Sequence, residues 1–425
     1  MKNSFRFLKS LAMIVLLVGV VVVGGCGQQG ASELSVNIPS RPTDAYLRPD
    51  NSKIFLHFTG TNEANIQGYN IYRSNGSGSG FALAGFVTQE SYYTGYSYYD
   101  NDLINGNNYY YKVTSVTENG VESEFSDEVN GIPLRCVYVS WPTTNRLNEV
   151  CFVSENNGWA VGDSKTILHY TGTDWQTVAA PVESDPYASF LNAVFFTSST
   201  DGWICTGLVG EIWHYDGNKW SVFAALKDVS HNSNVTLNDI YFVSSDDGWV
   251  GGEGYDSSGY VAHYNGITWE SVPLPSGTRS IQNISFSSST NGWAIDESGN
   301  VLYYDGVSWS IVKSLGGSAV NGFCFDLPPS YLWVGGNGGS GLSGRYYDGE
   351  DWYYLSIGGF EPMFDIYMLS SLEGWAVGTE QIWRCWDGTW YEIDNPEEYS
   401  LSAVFFTSRT KGWGVSYSGK VYKFE

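Results

Sequence analysis

Histidine, arginine and carboxylate side chains are the groups here that could do chemistry, and their spacing speaks against one shared centre. His169, His214 and His263 each precede a Tyr at one position of a repeating pattern, and Tyr303, Tyr346 and Cys385 are read as its equivalents in other repeats. One histidine per repeat does not converge on a metal ion, so these read as strand residues. Arg135, Arg146, Arg279, Arg345, Arg384 and Arg409 mostly fall at different repeat positions. A pair of carboxylates flanking a glycosidic bond can hydrolyse it, and the 45 Asp and Glu keep that alternative open. No phosphate loop, Ser-His-Asp signature or HExxH occurs. Cys136, Cys151, Cys205, Cys324 and Cys385 are widely spaced without a CxxC and read as small buried hydrophobes. Neither a metal nor a cofactor is expected, although acidic loops leave a weak Ca²⁺ site open.

The better candidates stand in loops. "PVESDPYASF" (181–190), "LKDVSHNSN" (226–234), "EGYDSSG" (253–259) and "GGNGGSGLSG" (335–344) interrupt the repeats. Function concentrates on such segments because they can vary without disturbing a core. Glu183, Asp185, Tyr187, His231, Tyr255 and Asp256 are the candidate ligand-binding residues, against the plainer reading that each is only solvated. No catalytic residue is assigned.

The elements that would position these loops repeat. Seven segments open alike, from "LNEVCFVSENNGWAVG" at 147–162 to "LSAVFFTSRTKGWGVS" at 401–416, and their Trp residues at 159, 203, 249, 293, 333, 375 and 413 lie 38 to 46 residues apart. A second Trp follows a turn in "YDGNKW" (215–220), "YNGITW" (264–269), "YDGVSW" (304–309) and "YDGEDW" (347–352). Each repeat parses as four short strands, which cannot cover both sheet faces alone, so neighbours must stack radially as in a β-propeller. The Asp-Gly pair belongs in the hairpin of strands three and four, where positive φ angles favour Asn, Asp and Gly. The Trp after it is expected against adjoining strands or the next blade. The last repeat has three strands, and "CVYVSWPTT" (136–144) with Trp141 would supply the fourth and close a ring of seven blades. An open solenoid is the weaker alternative.

The pattern "LNxVxFxxxxxGWxVG…DGxxW" resembles the propeller family of the photosystem II assembly factor, and more distantly the Asp-box repeats of sialidases. The first resemblance implies assembly of a photosystem-type complex. The second would imply a hydrolase whose three arginines grip a carboxylate, but the arginines here lack that family's motif. Thr171 and Asn265 replace the turn Asp in two repeats, so its carboxylates are structural.

All 17 Trp stand at or after residue 141, and the composition changes near "GIPLRC" (131–136). Residues 36–134 read as a small β-sandwich of alternating strands such as "KIFLHF" (53–58) and "YYYKVTSVT" (109–117). "IQGYNIYRS", "YYDNDLINGNNYYYKVTSV" and "GVESEFSDEVNGIP" resemble a fibronectin type III module. That resemblance implies that the Tyr109 phenol bonds to the turn near Leu103, and that Tyr111 and Val113 face the core. Such modules mostly act as spacers. Tyr92, Tyr93, Tyr96, Tyr98 and Tyr99 are read as strand residues, with a sugar-binding surface as the alternative. The fold class is therefore all-β, a sandwich followed by a seven-bladed propeller over 136–425.

Lys2, Arg6 and Lys9 precede an apolar run, Leu11 to Val23, that is short for a membrane span and has the form of a secretory signal. "VGGC" ends it and resembles the lipobox of bacterial lipoproteins, which implies lipid on Cys26. Residues 1–25 are then the signal peptide and 26–35 a tether. Loss of those three cations and no acid takes the formal charge from −24 to −27. This repels nucleic acid and anionic headgroups. The expectation is an exported, monomeric lipoprotein on the cell membrane or outer membrane, facing the periplasm or exterior. It would bind or scaffold a protein or glycan without catalysis. A glycan-active, sialidase-like hydrolase is the alternative, and photosystem-type complex assembly a third reading.

Overall fold

The computed structural model describes residues 37–90, 93–140, 142–228, 230–316, 322–325, 332–335, 344–355, 362–395 and 400–425. The signal segment, Cys26, the tether, Tyr92, Trp141 and most of the 335–344 loop lie outside them.

The first strands are β1 (Thr43–Asp50), β2 (Lys53–Thr59), β3 (Ile66–Ser74), β4 (Ala82–Thr88), β5 (Gly95–Asp100), β6 (Tyr109–Thr117) and β7 (Val129–Gly131). They form a three-stranded sheet, β1-β2-β5, and a four-stranded one, β4-β3-β6-β7. Alternation in "KIFLHFT" turns Ile54, Leu56 and Phe58 inward. They meet Tyr69, Ile71, Tyr111 and Val113 of the other sheet in one core. The Tyr109 hydroxyl accepts the Ile104 N–H at 3.0 Å.

β8 (Cys136–Ser140) follows. Six four-stranded antiparallel sheets then span residues 147–178, 191–225, 236–271, 281–314, 322–355 and 363–392, and a last one joins three strands over 403–424 to β8. Val421 pairs with Ser140 and Phe424 with Cys136. The opening strand of each sheet touches that of the next, and Ala403–Ser408 of the last sheet touches Leu147–Ser154 of the first. The sheets thus stand radially around a closed cycle, which is a β-propeller.

Its core lies between sheets. Trp159, Val161 and Ile167 of the first sheet cluster with Leu191, Phe196 and Trp220 of the second. Equivalent clusters span the other junctions, including last to first, where Leu147 and Phe152 meet Trp413 and Val421. No sheet buries its own faces, so neighbours stabilise each other.

β1 and the segment after β7 dock against the sixth sheet. Arg384 is fully buried, donates to the Ile132 carbonyl at 2.7 Å and lies over the rings of Trp375 and Trp386. Trp386 Nε1 donates to the Asn130 carbonyl at 3.0 Å, and the Tyr391 hydroxyl to the Pro49 carbonyl at 2.9 Å. Lys53 reaches Asp394 at 3.0 Å. The N-terminal sheets are therefore fastened by buried contacts, not only joined through the chain.

Candidate functional site

The residues that recur in every repeat are occupied in fastening. In "YDGNKW" the Asp216 carboxylate accepts the N–H groups of Asn218 and Lys219, both at 2.9 Å. Asn265, Asp305 and Asp348 repeat this cap. Only the glycine has positive φ, as at Gly217 and Gly306, so the Asp is there as an acceptor and not for a left-handed backbone. The sixth sheet differs: Asp387 and Gly388 form a two-residue turn with both φ positive. The second Trp packs back on the preceding sheet, not the next: Trp220 meets Trp159 edge-on at 5.6 Å, and Trp309 meets Trp249 at 6.0 Å.

The histidines cover the first Trp of their own sheet. His169 stacks on Trp159 at 3.9 Å, His214 on Trp203 at 4.3 Å and His263 on Trp249 at 4.3 Å. Their Nε2 atoms bond to Asn157, Asp201 and Asp247 at 2.7–2.8 Å. Tyr303 and Tyr346 cover Trp293 and Trp333. Opposite Trp375 stands Arg384 and not Cys385, because the two-residue turn shifts the register by one. Burial raises the thiols of Cys151 and Cys385 to about 12, so both are protonated. Arg135 pairs with Glu425, Arg279 with Glu297 and Arg409 with Glu373, so these arginines do not converge. Among the described residues, no group of three His, Cys, Asp or Glu side chains could hold a metal ion.

The innermost strands carry carboxylates that the sequence reading passed over. Asp239 accepts its neighbour Ile240 N–H and, across the junction, the Ile284 N–H, both at 2.8 Å. Asp365 does the same with Ile366 and Val404. Asn148, Asn192 and Asn238 donate across the junctions to the carbonyls of Leu191, Leu237 and Ile281. Each side chain thus ties its strand to the next one. Desolvation raises the Asp239 carboxyl from 3.8 to about 7 and that of Asp365 to about 6. Glu149, equivalent in position, is also raised by burial and by the charges of Asp365 and Asp239.

The loop candidates fall on the connectors between sheets and on the hairpins of strands two and three. His231 stacks on Tyr255 at 4.3 Å, bringing two candidates together across 24 residues. Asp228 binds them: it accepts the Tyr255 N–H at 3.2 Å, the His231 N–H at 3.3 Å and the Ser230 hydroxyl at 2.5 Å. These bonds, the Ser230 hydroxyl first, hold its carboxyl well below the usual range. The D-x-S-H spacing signals such a turn, but only the fold brings Tyr255 to it. Asp256 takes a left-handed conformation in the same turn as Tyr255.

Glu183, Asp185 and Tyr187 share the preceding connector. Glu183 accepts the Val222 N–H, which with its own N–H lowers its carboxyl. Asp185 accepts the Tyr187 N–H at 2.8 Å, while its own N–H donates to Glu211. Lys165 fixes the loop from below through Ser184 and the Asp185 carbonyl. Ala188 is fully buried and Tyr187 is 74% exposed. Sequence reasoning missed three apolar neighbours here. Val182 is 98% exposed, Phe190 is exposed, and Phe190 accepts the N–H of Gly207, beside which Leu208 is 53% exposed. Leu208 also has φ +73°, a left-handed conformation that costs a non-glycine residue about 1 kcal/mol. Its place between Gly207 and Gly210 in "TGLVGE" marks a tight hairpin, but not that conformation.

No protein-family model matches the chain, and no curated protein sequence matches it. Solved structures do. YCF48 bound to a D1 peptide is 18% identical, with TM-score 0.53 over 69% of this chain and 97% of that one. YCF48 from Cyanidioschyzon merolae gives the same identity and TM-score over 68% and 98%. The WD40 β-propeller domain of Doa1 is 14% identical, with TM-score 0.53 over 68% and 95%. At these identities the likeness is one of fold, and the fold is a propeller.

Proposed function

We propose that this chain is a non-catalytic binding or scaffolding platform of the cell envelope, with a protein as its ligand. One observation carries the reading: the residues repeated around the propeller are spent on fastening it, whereas the unrepeated connector 181–190 and the hairpin beside it expose apolar side chains, Val182, Tyr187 and Leu208 among them. That YCF48, which shares the fold, holds a D1 peptide supports a polypeptide over a glycan. Photosystem-type complex assembly is a narrower form of the same reading.

The architecture belongs to the proposal. Residues 136–425 make a seven-bladed ring sealed by β8, a reading supported by the closed cycle of four-stranded sheets. Residues 36–134 make a fibronectin type III-like module, supported by its three-plus-four strand order and the Tyr109 bond. Residues 1–25 direct export and Cys26 carries lipid, so a monomer faces the periplasm or the exterior. The sugar-active alternative would draw on the raised carboxyls of Asp239 and Asp365, and each of these is held by two backbone N–H bonds. The test is crosslinking of the full-length chain in intact envelopes, alongside incubation with a glycan panel and product analysis. A reproducible protein adduct without sugar release is expected. Sugar release, or no adduct at any density of crosslinker, overturns the proposal.

A further inference from the structure

We infer that the connector 181–190 and the hairpin 206–211 form the seat for an extended polypeptide segment that carries apolar side chains next to Lys or Arg. The inference rests on the binding reading above and names its site and the chemistry of its partner.

Three independent observations meet there. First, Tyr187, Phe190 and Leu208 are exposed on segments joined by the Gly207 to Phe190 backbone bond, with Val182 further along the same connector. Isolated exposed apolar residues need no explanation, but a group held on two braced segments marks an interaction surface. Second, Leu208 keeps its side chain at a backbone position that glycine would occupy without strain. Its side chain is largely in solvent, so burial within this chain does not repay the strain; contact with a partner does. Third, Glu183 and Asp185 stand in the same connector; Lys165 is turned inward to Ser184 and the Asp185 carbonyl, and Lys219, whose charge reaches Glu183, is shared with the Asp216 carboxylate of its own turn. The outward charge is negative. It attracts Lys and Arg and repels acidic peptides and anionic lipid. A hydrocarbon ligand would leave these carboxylates unmatched, and a polyanion would oppose them.

The loop is also built to hold its shape. Ser184 and Ala188 are buried, Asp185 is bound at both its N–H and its carboxylate, and Glu183 is bonded to the outer strand. A surface fixed before binding loses little entropy when it is covered.

The full-length chain in detergent is titrated with three synthetic peptides of equal length: alternating Leu and Lys, alternating Leu and Glu, and alternating Ser and Lys. Only the first should bind, and its affinity should fall with added salt. Leu208→Gly and Tyr187→Ala should each weaken it about tenfold or more. Glu183→Gln, which keeps the oxygen that accepts the Val222 N–H, should reduce the salt dependence. Leu208→Gly removes strain, so its melting temperature should not fall and loss of binding cannot be misfolding. Equal binding of all three peptides, no binding, or binding unchanged by Leu208→Gly overturns the inference. A shift of the effect to Tyr255→Ala does so too, by placing the site at the hairpin of the third sheet, where Tyr255 stacks on His231. If the native envelope yields a protein adduct that Leu208→Gly leaves intact, the binding reading stands and this site does not.

Discussion

Acidification should stabilise this protein through the carboxylates of its innermost strands. Asp239 receives two N–H bonds that favour its charged form, yet desolvation outweighs them and lifts it from 3.8 to about 7. A carboxyl with a raised folded pKa keeps its proton more tightly in the native state than in the unfolded chain. Its stabilising effect is therefore full below the unfolded value and is lost as pH rises through the folded one. Between about pH 5 and pH 7 that is close to one extra native proton, worth roughly 3 kcal/mol at about 1.4 kcal/mol per pH unit. Asp365, raised to about 6, adds in the same direction. The assay is urea unfolding followed by tryptophan fluorescence at several pH values for the wild type and Asp239→Asn. The variant keeps one acceptor oxygen and loses the titration. The stability difference between the two should shift by about 3 kcal/mol in favour of the wild type as pH falls from 8 to 5. A difference that stays flat over this range would refute the assignment of desolvated, proton-holding carboxyls at the inter-sheet ties.

Further expectations follow from the fasteners. Thr171 stands where Asp216, Asp305 and Asp348 cap their turns, so Thr171→Asp should gain about 1 kcal/mol, and Asp216→Ala should lose as much; local amide exchange at residues 173–174 and 218–219 reads both. Trp159→Ala removes a ring that joins two sheets and should cost about 3–5 kcal/mol by urea midpoint. Tyr391→Phe orphans the Pro49 carbonyl at the seam and should cost about 1–3 kcal/mol, seen as earlier melting of the N-terminal sheets in calorimetry. Leu208→Gly should raise stability by about 1 kcal/mol.

The repeating sheets were legible because Trp, Gly and the turn recur at near-constant spacing, and a periodic core needs periodic side chains. What was not legible depended on contacts between elements far apart in sequence. Asp239 and Asp365 look like ordinary strand acids until the next opening strand supplies an N–H. His231 and Tyr255 were both candidates, but the sequence does not say that Asp228 joins them. The turn Asp was read as a positive-φ residue because Asp serves both roles, and only the backbone angles separate them. Cys385 was read as the equivalent of the histidines, but a turn shorter by two residues moves the register and leaves Arg384 at that position. Leu208 escaped notice because its identity carries no sign of its φ angle. The docking of the N-terminal sheets was invisible for a further reason: its bonds run largely to backbone carbonyls, which every residue has.

The pairing of β8 with Val421–Phe424 also sets a timetable. Cys136–Ser140 is synthesised before the first repeat, and its partner strand, Val421–Phe424, only after the opening strands of all seven sheets. Throughout that interval β8 offers an open edge carrying Val137, Tyr138 and Val139, and the sheets between have no closed cycle to hold them. Pairing over so long a separation is slow, and the waiting edge invites partners from other chains. However early the other sheets form, the ring cannot shut until Val421–Phe424 has been made and has found that edge.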